Sequence, residues 1–136
     1  MESVLIKSDI DLAKKNMEAF FKTHDVQYVT QDAVFINMGS GQKTEGREAI
    51  GKMLHYLYHV AFDAQLIFTN SIITEDKAMV EGFFKGIHTG EFAGIPASNK
   101  RVDVPLCVTY DLEHGLIKKA SFYMLGDVMI KQLTSL

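Results

Sequence analysis

The chain has 136 residues, enough for one domain with a hydrophobic core and too few for two. Apolar residues make up 47% of the sequence and charged residues 23%, which is ordinary for a globular domain. The formal net charge is -3 and no Lys/Arg block is longer than two residues, which argues against nucleic acid or an anionic membrane as the main partner.

Cysteine usage and the N-terminal sequence bear on the compartment. The single cysteine, Cys107, excludes an internal disulfide and favours a reducing compartment. The first residues lack a basic region followed by a long apolar one, so no secretory signal is predicted. No apolar run approaches the roughly 20 residues that a membrane-spanning helix needs. We therefore expect a single domain over residues 1–136 that works in the cytoplasm.

The first half of the chain has the apolar spacing of helices. Residues 8–23 predict a helix with Ser8 as its N-terminal cap. A short helix is predicted over residues 26–30 and a short strand over 33–37. Residues 46–62 predict the next helix. Its expected buried stripe consists of Ile50, Met53, Leu54, Leu57, Val60 and Ala61.

Two histidines of this helix, His55 and His59, lie four residues apart, a spacing that can bind a metal. No third ligand of the usual metalloprotease pattern accompanies them. We interpret them as solvated or interface residues and expect no catalytic metal.

From residue 63 the apolar period changes to two, which is typical of strands that bury one face. Long strands are predicted from residue 63 to 72 and over 79–88, 101–112 and 116–125. The tail, 127–136, is expected to form a final strand turn or a short helix. Helices followed by consecutive strands predict an α+β fold, a cone-shaped curved antiparallel sheet packed against N-terminal helices. Such a sheet encloses a pocket between itself and the helices.

The outer face of the predicted sheet is half polar. On the strand over residues 79–88 it mixes Met79, Phe83 and Ile87 with Glu81 and Lys85. This face is too apolar to be left in open water over such an area. We therefore expect a homodimer through the sheet, a hypothesis that sedimentation equilibrium can test.

His88 stands where this strand runs into a glycine-rich segment. Residues two apart on a strand share a face, so His88 faces the same way as Phe84, toward the apolar side. Two interpretations remain open. His88 either points into the cavity and bonds a ligand or a neighbouring carboxylate, or it is a hydrogen-bonded structural residue.

Four segments of the sequence, residues 32–35, 45–50, 86–96 and 123–133, together resemble the SnoaL-like polyketide cyclases. The segment over residues 86–96 is the most specific of the four. The resemblance implies the nuclear-transport-factor-2-like cone, a cystatin-like α+β barrel. It also implies ring closure by intramolecular aldol condensation, with an aspartate as the acid–base group and no metal or organic cofactor.

The resemblance places the family's catalytic aspartate seven residues before Gln132, where this chain has Leu125. Asp127 lies two residues further along and would share a strand face with Leu125. It is either a displaced catalytic carboxylate or a cap of the tail, bonded to the amides of Met129 or Ile130.

The candidate site follows from these positions. Asp127 and His88 are the candidate catalytic residues, because a carboxylate and an imidazole can transfer a proton α to a carbonyl. Tyr123 and Asn70 are candidate donors to a developing enolate. Tyr28, Tyr110 and Asp32 are set aside. The candidate ligand-binding residues are Tyr123, Phe84, Asn70, Leu125 and Val104.

Three functions fit the sequence. The first is an aldol cyclase or isomerase that acts on a small apolar carbonyl compound in the cone. The second is a non-catalytic protein that holds such a ligand. The third is an interaction protein whose sheet face dimerises or docks a partner. Leu125 favours the second function over the first, whereas His88 and Asp127 favour the first.

Overall fold

The computed structural model describes residues 2–135, with side chains from residue 9 onward. Three helices and six strands follow in the order α1 (Glu2–Thr23), β1 (Val29–Asn37), β2 (Lys43–Glu45), α2 (Arg47–His55), β3 (Phe62–Ile73), β4 (Lys77–His88), β5 (Arg101–Glu113), β6 (Leu116–Met124) and α3 (Gly126–Thr134).

The strands form one sheet in the order β2-β1-β6-β5-β4-β3. The last four strands are joined as consecutive antiparallel hairpins. Strand β1 instead runs parallel to β6, so the sheet is mixed rather than wholly antiparallel. The two strands are far apart in the chain, and no tight turn dictates their relative direction. The α+β cone fold is confirmed, with an apolar core between the inner sheet face and the helices.

The sheet curves because two glycines let neighbouring strands approach closely. A Cβ placed on Gly82 would lie 2.1 Å from the carbonyl oxygen of Ile67, and one on Gly86 would lie 2.3 Å from that of Asp63. Any other residue would push β3 away from β4. Glycine in a strand interior commonly marks such a bend.

The N-terminal half differs from the sequence prediction at element ends. Helix α1 begins at Glu2 rather than at residue 8, and the side chain of Ser8, the predicted cap, lies outside the described side chains. The predicted short helix over residues 26–30 is a 3₁₀ turn, Val26–Tyr28, and β1 begins directly after it.

Helix α2 changes its winding before it ends. Residues Tyr56–Ala61 form a π-helical turn rather than the α-helix predicted as far as residue 62. A π turn has more residues per turn, so it rotates the side chains that follow. As a result Val60, expected to be buried, is exposed, and Tyr58 is buried.

Bulges change which residues of β3 and β6 face the core. The register of β3 against β4 shifts between Phe68 and Asn70, so Ile72, which unbroken alternation from Phe68 would bury, is exposed. The register of β6 against β5 shifts near Lys118, so Ile117 and Ala120 are both buried although they are three residues apart. A bulge adds one unpaired residue and reverses the alternation beyond it.

Helix α3 completes the sheet where β6 ends. The Gln132 side chain accepts from the backbone N–H of Asp103 at 2.7 Å and donates to its carbonyl oxygen at 2.9 Å. It thus forms hydrogen bonds with the backbone N–H and carbonyl of Asp103, which no neighbouring strand reaches on that side of β5. Met129 and Leu133 are buried beneath the same helix.

The outer sheet face carries exposed apolar side chains between charged ones. They include Ile67, Ile72, Met79, Ile87 and Tyr123. The homodimer expected from this face stays a prediction. Among the described helices, none is long and apolar enough to cross a membrane.

We predict that Gly82→Ala destabilises the fold by about 1–3 kcal/mol, because the added methyl group would collide with the β3 backbone. Gly126→Ala is the matched control, since a Cβ there meets no atom within 4 Å. Because Gly126 is exposed at the first position of α3, the change should alter the stability by no more than about 0.5 kcal/mol. Urea denaturation followed by circular dichroism measures both values. Equal stabilities of the two variants would contradict the close-approach argument.

Candidate functional site

A small inner cavity lies between the helices and the curved sheet. Apolar side chains from both N-terminal helices and from β1, β3, β5 and β6 line it, and its only polar lining residues are His24, Tyr58 and Tyr110. Its volume is about 40 Å³. That is room for water but not for an organic ligand.

His24 reaches this cavity because it continues the buried stripe of α1. It follows Phe20 by four residues, and its backbone N–H donates to the Phe20 carbonyl at 2.7 Å. Its φ of 53° ends the helix in the left-handed region. The imidazole packs against the rings of Phe20, at 5.5 Å between centroids, and Tyr58, at 4.3 Å. The helix predicted from the sequence ended at residue 23 and gave His24 no role, although its spacing of four residues from Phe20 was a usable signal.

The His24 imidazole is uncharged at neutral pH. Burial, together with the charge of nearby His59, lowers its pKa from 6.5 to about 4. A neutral imidazole has one acceptor nitrogen and one donor N–H. His24 can therefore accept a hydrogen bond or a proton from a ligand.

Tyr58 and Tyr110 remain protonated phenols. Burial raises the pKa of both hydroxyls well above the ordinary value, and for Tyr110 the charge that Tyr58 would carry raises the pKa further. Each hydroxyl is therefore a hydrogen-bond donor inside an apolar site. Phe84 packs against Tyr58 at 5.2 Å between ring centroids and fixes the position of that ring.

A larger open groove of about 780 Å³ adjoins the cavity, between the end of α1 and β3. Phe21 and Phe68 form an apolar wall in it, with ring centroids 4.5 Å apart. Glu18, Lys22 and Gln65 add polar groups. The groove is of the size that small-molecule sites usually have.

His88 is fully buried on the inner face of β4 but does not line the inner cavity. Its Nδ1 lies 2.9 Å from the Ser98 hydroxyl and accepts from the Ser98 backbone N–H at 3.3 Å. Its ring packs against Phe62 at 5.2 Å. Because Nδ1 accepts, we infer that the proton is on Nε2, which has no partner among the described residues. His88 thus holds the loop that follows β4.

Asp127 and Leu125 lie outside the cone. The chain becomes helical at Gly126, so the strand-face argument that aligned Asp127 with Leu125 does not hold. Asp127 is exposed in the first turn of α3, where the helix dipole favours a negative charge. Among the described residues, the Asp127 side chain makes no capping hydrogen bond to a tail amide, and the N-cap position of α3 is occupied by Leu125. Leu125 precedes the helix and is 52% exposed.

The bulges place two other predicted contacts on the outer face. Beyond the β3 bulge, Asn70 points outward and donates to the Glu81 side chain. Beyond the β6 bulge, Tyr123 is exposed opposite Cys107. Both residues were expected to face the cavity, and both lie on the outer face of the sheet instead.

Phe84 and Val104 are fully buried, directly opposite each other on β4 and β5. They lie in the core rather than on the cavity wall, and of the two Phe84 packs against Tyr58. The structure therefore does not bring the predicted site residues together in the cavity. It brings His24, Tyr58 and Tyr110 together instead.

Within the part of the chain that the structure describes, no three His, Cys, Asp or Glu side chains come together in a way that could hold a metal ion. The rings of His55 and His59 lie 5.4 Å apart, and both residues are exposed.

We predict that acid destabilises the fold through His24. Its folded pKa of about 4 lies below the ordinary 6.5, so between these pH values the unfolded chain binds a proton that the folded chain does not. The free energy of unfolding therefore falls as the pH drops from 6.5 toward 4, by up to roughly 3 kcal/mol. Urea unfolding at neutral and mildly acidic pH measures the loss.

His24→Asn is the informative variant, because Asn tolerates a positive φ. It should lose less stability on acidification than the unmodified chain. His114→Asn is the control, since His114 is exposed in a turn with a φ of 51°. An equal loss in His24→Asn and the unmodified chain would contradict the assignment.

Comparisons with known proteins agree with this architecture. A family model described as SnoaL-like polyketide cyclase matches residues 11–123. No curated protein matches the chain. A candidate SnoaL-like polyketide cyclase from Jannaschia sp. CCS1 superposes with a TM-score of 0.82 at 18% identity, covering 93% of this chain and 94% of that chain.

Two further solved structures have the same fold. A candidate polyketide cyclase from Xanthomonas campestris has a TM-score of 0.80 at 15% identity, covering 93% of this chain and 99% of its own. AclR, a candidate hydroxylase from Streptomyces galilaeus, has a TM-score of 0.75 at 17% identity, covering 93% and 83%. At such identities the structures show the fold alone, but the family match spans most of the sequence: this chain belongs to the SnoaL-like polyketide cyclase family.

Proposed function

We propose that this chain binds a small, uncharged, apolar carbonyl compound in the groove, with its carbonyl end toward the inner cavity of the cone. One observation carries the proposal: two phenol donors and a neutral imidazole are the polar groups of an otherwise apolar cavity. A carbonyl oxygen can accept a hydrogen bond from either phenol. A charged ligand would lie among these groups without a counter-charge, which is costly in an apolar site.

The volumes indicate how such a ligand is held. The inner cavity of about 40 Å³ admits only a small part of a ligand, whereas the adjoining groove has about 780 Å³. We therefore place most of the ligand in the groove and its carbonyl end toward the cavity. Met53 and Met124 line the cavity and are only partly buried. Methionine side chains adapt readily to an incoming group.

A second function, acid–base chemistry of the cyclase or isomerase type, is supported by His24. In this scheme His24 removes a proton α to the ligand carbonyl, and the oxygen of the resulting enolate accepts from Tyr58 or Tyr110. In a cyclase the enolate carbon bonds to a second carbonyl of the same molecule, whose oxygen takes up the proton.

The pKa of His24 supports binding more than catalysis. An imidazole whose pKa is about 4 is a weak base, and general-base efficiency is greatest when the pKa is near the working pH. The residue at the family's catalytic position, Leu125, cannot transfer a proton, and the carboxylate of Asp127 is exposed outside the cone. Ligand binding is therefore the better-supported function, with acid–base chemistry as the alternative.

Binding is tested with 6-acetyl-2-dimethylaminonaphthalene, an uncharged aromatic ketone whose fluorescence shifts to the blue in an apolar site. We expect saturable binding. Tyr58→Phe and Tyr110→Phe should each weaken it about two- to tenfold, the value of one hydrogen bond. Tyr123→Phe is the matched control, because that phenol lies on the outer face. Absence of binding, or an equal effect of all three variants, would refute the proposal.

Acid–base chemistry is tested with the same ketone in D₂O. If His24 acts as a base, the protein should accelerate deuterium exchange of the acetyl methyl group, seen as loss of its proton NMR signal. His24→Asn should abolish the acceleration. The rate lost is at most about 10²–10⁴-fold, the usual contribution of one general base. Asp127→Asn is the control and should leave it unchanged, since that carboxylate is exposed. Bound ketone without accelerated exchange would remove the catalytic function and leave the binding function intact.

A further inference from the structure

Three residues lie at the boundary between the groove and the inner cavity. His24, Tyr58 and Leu66 line both spaces. A group that moves directly from the groove, of about 780 Å³, to the cavity therefore passes these side chains.

Two of the three are firmly held. Leu66 lies within β3 and pairs with Phe84 across the ladder. Tyr58 is 5% exposed, and its ring packs against Phe84. Moving either of them would disturb the sheet or the core.

His24 is held less firmly. Its imidazole contacts the rings of Phe20 and Tyr58 and, among the described residues, takes part in no hydrogen bond. It is half-buried, at the end of a helix and beside the open groove. Ring contacts of this kind contribute less free energy to holding a side chain in place than the packing of a fully buried side chain does.

The backbone on both sides of His24 is fixed, so the available motion is rotation of the side chain. Thr23 donates from its hydroxyl to the Ala19 carbonyl at 2.9 Å and accepts from the Asp25 backbone N–H at 3.1 Å. Asp25 in turn accepts from the Gln27 backbone N–H at 2.9 Å. These bonds hold the turn while leaving the imidazole free to swing toward the groove.

We propose that His24 is the gate of the site, and that the planar ring of an aromatic ketone replaces the imidazole against Tyr58 when the ligand enters from the groove. The imidazole lies 4.3 Å from the Tyr58 ring at 37°, so its space suits another flat ring. A carbonyl on that ring would lie next to the cavity that Tyr110 lines. This proposal makes an aromatic ketone the ligand class, and it rests on the proposed binding function.

Association kinetics test the gate. In stopped-flow mixing with 6-acetyl-2-dimethylaminonaphthalene, His24→Asn should raise the association rate constant about two- to tenfold, the value of one ring contact. His114→Asn is the matched control, because His114 is exposed in a turn, has a similar positive φ of 51° and lines neither the groove nor the cavity. An unchanged rate in His24→Asn, or an equal rise in both variants, would overturn the gate.

Xenon exchange separates failure of the gate from failure of the proposed function. Xenon enters apolar cavities without needing a hydrogen bond. Its exchange rate with the protein, measured by ¹²⁹Xe NMR saturation transfer, should rise in His24→Asn and not in His114→Asn, even if the ketone does not bind. Equal xenon exchange rates in the unmodified chain and both variants, or no xenon uptake by any of them, would overturn the gate, whether or not the ketone binds.

Discussion

The contact between the β3 backbone and the glycines of β4 is the constraint on which the rest of the structure depends. Gly82 and Gly86 let the Ile67 and Asp63 carbonyls approach to distances that no Cβ would permit. The sheet can therefore bend strongly enough to enclose α1 and α2 on its inner face. Without this bend the aromatic side chains around Tyr58 would have no opposite wall, and there would be no cavity.

Regular stretches of the sheet could be predicted from the sequence, and bulged ones could not. Strands β4 and β5 pair without interruption, and their even-numbered residues, apart from the half-buried Gly86, are buried as alternation predicts. Strands β3 and β6 each contain a bulge, which reverses the alternation beyond it. Alternation carries no signal for a bulge when the residues around it fit either face. Asn70 and Tyr123 were misplaced for this reason.

The polar groups of the site lie where helical regularity ends. His24 is the left-handed residue after α1, and Tyr58 belongs to the π turn after α2. Such irregularities often mark functional sites because they point side chains where a regular helix would not. Helical spacing from Phe20 could have indicated that His24 is inward. The π turn, which selects Tyr58 over Val60, depends on packing between distant segments and is not visible in local periodicity.

Burial shifts the pKa values of the three polar groups, and the same shifts limit the chemistry that these groups can perform. The desolvation that keeps Tyr58 and Tyr110 protonated, and hence donors, is the same effect that makes His24 a weak base. If His24 rotates into the groove to admit a ligand, water restores its pKa toward the ordinary value, but the imidazole then lies farther from the cavity. It is a stronger base only where it is less well placed to remove a proton. Hydrogen bonding by the tyrosines has no such conflict, so the geometry favours recognition of a carbonyl compound over its conversion.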